Sequence, residues 1–362
     1  MSNADEQILK LETKITRMEK MIQSLEEEKI RIRQTLHDLF DINSQAMNYI
    51  SQSIGNQAAL DSNVAFLRAK NEKLKYELFD PRFNKREIFF PVIKDIDETI
   101  EEIIKNHKSM ARFGDGEFAQ IIKRERSKFQ RLDDKLGLRL KEVLHSAHPN
   151  MLIAIANNYG NLEEYKEFAA DGIRIYMSVG EMREHHQELL EHDRIYYNAY
   201  VSRPYVMYKD QNTDAPKKRF QNLQRLWKGR DVLIVEGAQT RMGVGNDLME
   251  GATSVRRILA PATSSFDRYD DVLKAALKHA EKDMLILIAM GPAAGVLAYD
   301  LTVEGFQALD IGHLDLEYEW FLAGKGERVA VPYKYNNELE GDDGAEELHD
   351  PVYEAQIVED CS

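Results

Sequence analysis

"MLILIAMGPAAGVLAYDL", residues 284 to 301, decides the fold. It begins with an unbroken apolar run, which Gly291 and Pro292 cut short. A short continuous apolar run closed by turn residues is expected of a strand buried on both faces, as in parallel sheets covered by helices. The run is too short to span a membrane. The same kind of segment recurs as "MARF" from Met110, "MLIAIA" from Met151, "IRIYM" from Ile173, "DVLIVEG" from Asp231 and "RRILAP" from Arg257. Helical patterns such as "DDVLKAALKHAEK" from Asp270 lie between several of them. Strands alternating with helices predict an α/β fold with a mainly parallel sheet, in which ligands bind outside the carboxyl ends of the strands.

The loops after those strands are therefore the places to look for chemistry. "RF" is followed by Gly114-Asp115-Gly116-Glu117, "VLIVEG" by "AQTRMGVGNDL", and "LILIAM" by "GPAAGVLAYDL". Two carboxylates one residue apart repel each other unless a cation, hydrogen bonds or water compensate them. Asp115 and Glu117 together can offer oxygen to one magnesium or manganese ion, with Gly116 leaving space for an anion and Arg112 able to complement a diphosphate. Equally, Asp115 can cap a helix whose first turn carries Glu117. Gly243 and Gly245 before Asn246 and Asp247 fit either a phosphate cradle at a helix start or an ordinary cap. The loop at Gly291 exposes amide groups to a phosphate or ribose. No loop matches a Walker motif or a dinucleotide fingerprint.

Toward the C-terminus, "DIGHLDLEYEW" concentrates Asp310, His313, Asp315, Glu317 and Glu319. As a strand it puts His313, Asp315, Glu317 and Glu319 on one face; as a helix it stacks Asp315 and Glu319 one turn apart.

At the other end, Ile8, Ile15, Ile22, Lys29 and Leu36 occupy heptad position a, and Leu11, Met18, Leu25, Ile32 and Leu39 occupy d. A strict seven-residue repeat with Ile at a and Leu at d predicts a left-handed coiled coil of two parallel strands. A second stretch places Val64, Asn71 and Leu78 at a and Leu60, Leu67 and Leu74 at d. Residues 1–80 are thus expected to form an oligomerising region, with residues 8–78 joining copies of the chain. The competing expectation is a helix folded back on its own domain.

Composition narrows the remaining classes. The chain has 362 residues, 43% of them hydrophobic, enough for a full core and more than one domain. It has one cysteine, Cys361, so neither an internal disulfide nor a cysteine zinc cluster is expected. The start lacks a secretory pattern, and a soluble cytoplasmic protein is expected. Ten Asp or Glu and no Lys or Arg follow from Asn337 onward, so most of the net charge of −14 is local. Residues 337–362 are therefore expected to be a flexible acidic tail. No basic footprint for nucleic acid appears.

Taken together, "RFGDGEF", "VSRPY" from Val201, "VEGAQTRMGVGNDL" from Val235, "GPAAGVLAYDL" and "DIGHLDLEYEW" resemble the GT-D glycosyltransferase family. The resemblance covers roughly residues 85 to 337, within the expected domain 81–336. One departure is Ala293, where the family's loop carries threonine. The resemblance implies a Rossmann-like enzyme that takes a nucleotide diphosphate sugar, commonly a UDP-sugar, and a divalent metal held by an Asp-x-Glu motif, here Asp115 and Glu117. It implies a bacterial surface glycan or glycoprotein as acceptor. Nucleotide-sugar contacts are then expected from Arg112, Gly114, Arg203, Glu236, Arg241, Asn246, Asp247 and Gly291. Mn2+ or Mg2+ at Asp115 and Glu117 would neutralise the leaving diphosphate. If the anomeric centre inverts, a general base must take the acceptor proton; Asp315 is the first candidate, with Glu317 and His313 beside it. The alternatives are a metal-dependent nucleotide-sugar hydrolase and a non-catalytic coiled-coil assembly protein.

Overall fold

The computed structural model describes residues 3–53, 64, 90–125, 129–159, 161–178, 182–336 and 345–362. The chain divides into two compact units, residues 1–88 with 171–182, and residues 89–170 with 183–362. In the first, Asn3–Ser53 is one continuous helix. Of the second heptad stretch, all but Val64 lies outside the described residues.

The second unit is built on a nine-stranded sheet. In chain order the strands are β1 (Val92–Ile93), β2 (Ser109–Phe113), β3 (Met151–Ile155), β4 (Ile195–Asn198), β5 (Asp231–Gly237), β6 (Ser254–Ala260), β7 (Leu285–Ala289), β8 (Gln307–Asp310) and β9 (Ile357–Asp360). They lie in the order β1-β4-β3-β2-β8-β7-β5-β6-β9. Every pairing is parallel. The quoted apolar runs form the middle of the sheet: β3 and β7 are buried at every residue, and β5 at all but Asp231.

Local rules place the covering helices. Asp95 caps the helix Ile96–Asn106: its Oδ1 accepts from Glu98 N at 2.7 Å, and Glu98 returns a carboxylate to Asp95 N at 3.1 Å. Thr99, Ile100 and Ile103 then face inward. The helix Ala293–Val303 packs closely against β2 because it is lined by small residues. A Cβ at Gly295 would sit 3.6 Å from Ala111 Cβ.

Two expectations need correction, and one open alternative is decided. "IRIYM" is helical, within Glu167–Ser178, with Ile173 and Met177 buried four residues apart on one helix face. "DIGHLDLEYEW" is β8 followed by the helix Leu314–Leu322, the second of the two readings. The C-terminal segment from Ala345 does not behave as a free tail. Asp350 caps a short helix, Pro351–Gln356, and β9 then extends the sheet beside β6, with Tyr353 and Cys361 buried. Burial of apolar residues there outweighs the local negative charge. No helix among the described residues is long and apolar enough to cross a membrane.

Candidate active site

The sheet has its topological switch between β2 and β8: from β2 the chain moves outward through β3 and β4, then crosses to build β5 to β8 on the other side. Crevices at such a switch are where ligands enter α/β sheets. The carboxyl ends of these two strands are joined by one ion pair. Arg112 Nη2 donates to Asp310 Oδ1 at 2.6 Å, and its Nε donates to the Asp310 carbonyl at 2.9 Å. Nη1 reaches the turn after β4 and donates to Ser202 Oγ at 2.6 Å. Burial raises the Asp310 carboxyl and the guanidinium opposes that rise. Gly312, at φ +30°, makes room for the pair, since a Cβ there would lie 2.2 Å from Arg112 Nη2. Arg112 is thus committed to Asp310 and Ser202 and organises the floor of the crevice.

Directly after β2, Gly114 caps the helix Asp115–Ile121. Glu117 turns back over this start, with Oε2 accepting from Gly114 N at 2.8 Å, and Asp115 Oδ1 accepts from Gly116 N at 2.9 Å. Asp115 is exposed. Glu117 is pushed up to about 7, first by burial and then by the charge of Asp310. The cap is Gly114, not Asp115, so the helix-start reading holds for Glu117 alone. The β7 loop adjoins this site: a Cβ at Gly116 would meet Pro292 Cγ at 3.6 Å. Gly291, at φ +68°, is covered by Phe129, whose ring is nearly parallel to that of Tyr335. His313 stands beside Gly312 at the N-terminus of the next helix, partly exposed. Arg203 follows the Ser202 turn.

The other predicted residues lie in two networks built around buried carboxylates. Asp315, 2% exposed, accepts from Gly243 N at 2.8 Å and Asn246 Nδ2 at 3.0 Å on one oxygen. Its other oxygen accepts from Lys334 Nζ at 2.7 Å. Lys334 and Asn246 each also reach Glu319, at 2.7 Å. Glu317 Oε2 holds the Tyr205 and Val206 amides at 2.9 and 2.8 Å. Tyr318 OH donates to Asp247 at 2.8 Å. In the second network Glu236, fully buried, accepts from Arg257 at 2.6 Å and from Met242 N at 2.7 Å. Arg241, at φ +51°, points to the carbonyls of Tyr333 and Glu346. The Gly243–Asp247 loop is a run of turns pinned to Asp315 and starts no helix. These side chains shape the loops around the crevice.

Sequence reasoning singled out Asp310 only as part of its segment and missed Ser202, Arg257 and Lys334. Their signal is tertiary, since each partner is remote in sequence.

The profile of the family described as "Glycosyltransferase GT-D fold" matches residues 110–339, which hold the whole crevice. The chain belongs to the GT-D glycosyltransferase family. It is 35% identical over 269 residues to a probable glycosyl transferase Gly of Streptococcus gordonii, covering 74% of this chain and 38% of that protein. It is 34% identical over 267 residues to glycosyltransferase GlyD of Streptococcus pneumoniae, covering 74% of this chain and 32% of that protein. The match thus spans less than two-fifths of either curated relative. Among solved structures, the domain of unknown function 1792, described as a distinct glycosyltransferase fold, superposes with a TM-score of 0.70 at 32% identity. That alignment covers 80% of this chain and 98% of the domain. A glycosyltransferase of the same type from Streptococcus sanguinis gives the same TM-score and identity, with 75% and 100% covered. The expectation of a GT-D glycosyltransferase on a mainly parallel α/β sheet is therefore met.

Proposed function

We propose that the protein transfers a sugar from a nucleotide diphosphate sugar, of the UDP-sugar class, to a glycan or glycoprotein acceptor, using Mn2+ or Mg2+ held by Asp115 and Glu117. The observation that carries this reading is Glu117. At the switch point its half-buried carboxyl is raised to about 7 by burial and by Asp310, while Arg112 is already occupied. A carboxylate in that condition fits a cation, and exposed Asp115 two residues before it can offer a second carboxylate. No cluster of three or more His, Cys, Asp or Glu placed for a metal exists among the described residues. Two carboxylates with the remaining positions filled by water and substrate phosphates match the habit of magnesium and manganese.

When bound, the cation would act as a Lewis acid on the leaving diphosphate. The chain's own residues define the rest. Arg112 and Asp310 fix the two strand ends, and Gly291 admits the ring of Phe129 against the loop after β7. Arg203, beside Ser202, would meet the donor's anionic part. In an inverting transfer the acceptor hydroxyl must lose a proton. We assign that to His313 in preference to Asp315 or Glu317, whose carboxylates are buried and engaged by loop amides or Lys334.

The test is a screen of nucleotide sugars for Mn2+-dependent UDP release, with Asp115→Ala and Glu117→Ala in parallel. Release that depends on manganese in the parent and is lost in both variants is expected. Equal release from parent and variants, or release indifferent to divalent cations, overturns the proposal.

A further inference from the structure

The long helix Asn3–Ser53 carries its own instructions for a partner. At 51 residues it is about 76 Å long. Its apolar seam lies open to water: Leu11 is 58% exposed, Ile15 54%, Met18 62%, Ile22 54%, Leu25 58% and Leu39 56%. These six stand at a and d positions of successive heptads, with Leu36 partly covered farther along. A single helix in water gains little from propensity and depends on burying such a stripe.

The flanking charges select the occupant. Positions g and e border the seam, and in a parallel, in-register pair g of one helix faces the next e of the other, five residues on. Lys14 at g then faces Glu19 at e, and the sequence repeats the match with reversed signs at Glu28 and Arg33. By two-fold symmetry each attraction occurs twice, and the remaining g–e pairs of the stretch bring no like charges together. An antiparallel pair instead matches e with e, where Glu12, Glu19 and Glu26 repel one another and only Arg33 is basic. Lys29, exposed at an a position, adds a device that fixes register.

We infer that the exposed seam binds a second copy of this chain, forming a parallel, in-register, two-stranded coiled coil that tethers two transferase domains. The inference specifies the partner and orientation of the oligomer expected from the heptads, and it stands or falls independently of the donor and metal. Two tethered sites would raise the effective concentration of one at an acceptor held by the other.

Sedimentation equilibrium of the full chain is expected to give twice the 41.8 kDa chain mass. Ile15→Glu combined with Ile22→Glu is expected to give monomers whose near-ultraviolet circular dichroism is unchanged. In a Cys361→Ser background, Met18→Cys at a d position is expected to form an interchain disulfide on mild oxidation, because only a parallel, in-register pair brings the two thiols together. Lys14→Glu is expected to raise the dimer Kd about tenfold, and mixing it with Glu19→Lys to restore tight association as a heterodimer. A monomeric or trimeric mass for the parent overturns the inference. A dimer that fails to cross-link at position 18, or that ignores the charge exchange, overturns it as well.

Discussion

Replacing Glu117 by Gln is expected to stabilise the apo protein near neutral pH while removing cation binding. Glutamine keeps the acceptor for the Gly114 amide, so the helix start survives, and only the ionisable group is lost. The native carboxyl titrates at about 7 instead of 4.5. Its protonated form is thus favoured by folding: between these two values the native state holds a proton that the unfolded chain has released. The slope of stability with pH is negative in that window, so the group's contribution is complete below 4.5 and is lost as pH rises through 7. At about 1.4 kcal/mol per pH unit the full difference is about 3 kcal/mol, and partial exposure to solvent reduces it to about 1–3 kcal/mol.

Urea unfolding of parent and variant at pH 4.5, 6 and 8 measures this directly, because other titrating groups cancel in the difference. The two proteins should match at pH 4.5, and the variant should lead by about 1–3 kcal/mol at pH 8. Manganese at a hundred times its Kd should then return about 2.7 kcal/mol to the parent and nothing to the variant. A difference that does not change with pH, or a variant less stable at pH 8, refutes the account of Glu117 as an acid raised by burial and by Asp310. Manganese stabilising both proteins equally refutes its role as a ligand.

Other expectations rest on separate parts of the molecule. His313→Gln should leave the unfolding midpoint within experimental error and slow transfer at least a hundredfold, whereas Asp315→Asn should destabilise by about 3 kcal/mol by leaving buried Lys334 poorly compensated; urea titration beside initial rates separates them. His186 is stacked on Phe118, bonded to Tyr159 OH at 2.6 Å and lowered to about 3, chiefly by burial. Its stability contribution is complete above 6.5 and falls away as pH drops toward 3, by about 2 kcal/mol at pH 5, so His186→Phe should flatten the acid limb of the stability–pH curve. Gly312→Ala places a methyl group against Arg112 and should lower both stability, by about 2 kcal/mol, and donor affinity, read by unfolding and calorimetry.

Legibility in the sequence followed the length of each signal. β3, β5 and β7 announced themselves because both faces are covered and their apolar runs are continuous, with Glu236 near the end of β5 the one polar residue inside them. β1, β4, β8 and β9 have two to four residues, too few for a period to register, and "IYYN" or "QALD" read equally well as loop. "IRIYM" alternates as a strand does, yet Ile173 and Met177 also share a helix face, and four apolar residues cannot decide between these periods. The acidic C-terminus misled in another way: its charge was evident, while Tyr353 and the apolar pair of Ile357 and Val358 that dock it were outnumbered in the count.

The site shows the same division between local and distant information. Position along the chain was enough to put Asp115 and Glu117 at the end of a strand, since a Gly-x-Gly step after an apolar run is a local signal. Which carboxylate is available for chemistry depends on which lone pairs are already taken. Asp315, Glu236 and Glu317 looked as eligible as Glu117 until Lys334, Arg257 and the Tyr205 and Val206 amides were seen on them. The reverse holds for Arg112, whose charge invited a phosphate but which meets Asp310 across the switch point. That pair holds β2 and β8 together, and although its guanidinium partly offsets the rise of Glu117, burial and Asp310 still push that carboxyl up to about 7. A glycosyltransferase needs such an imbalance, because a site whose charges were all internally satisfied would gain little from binding a cation together with its diphosphate.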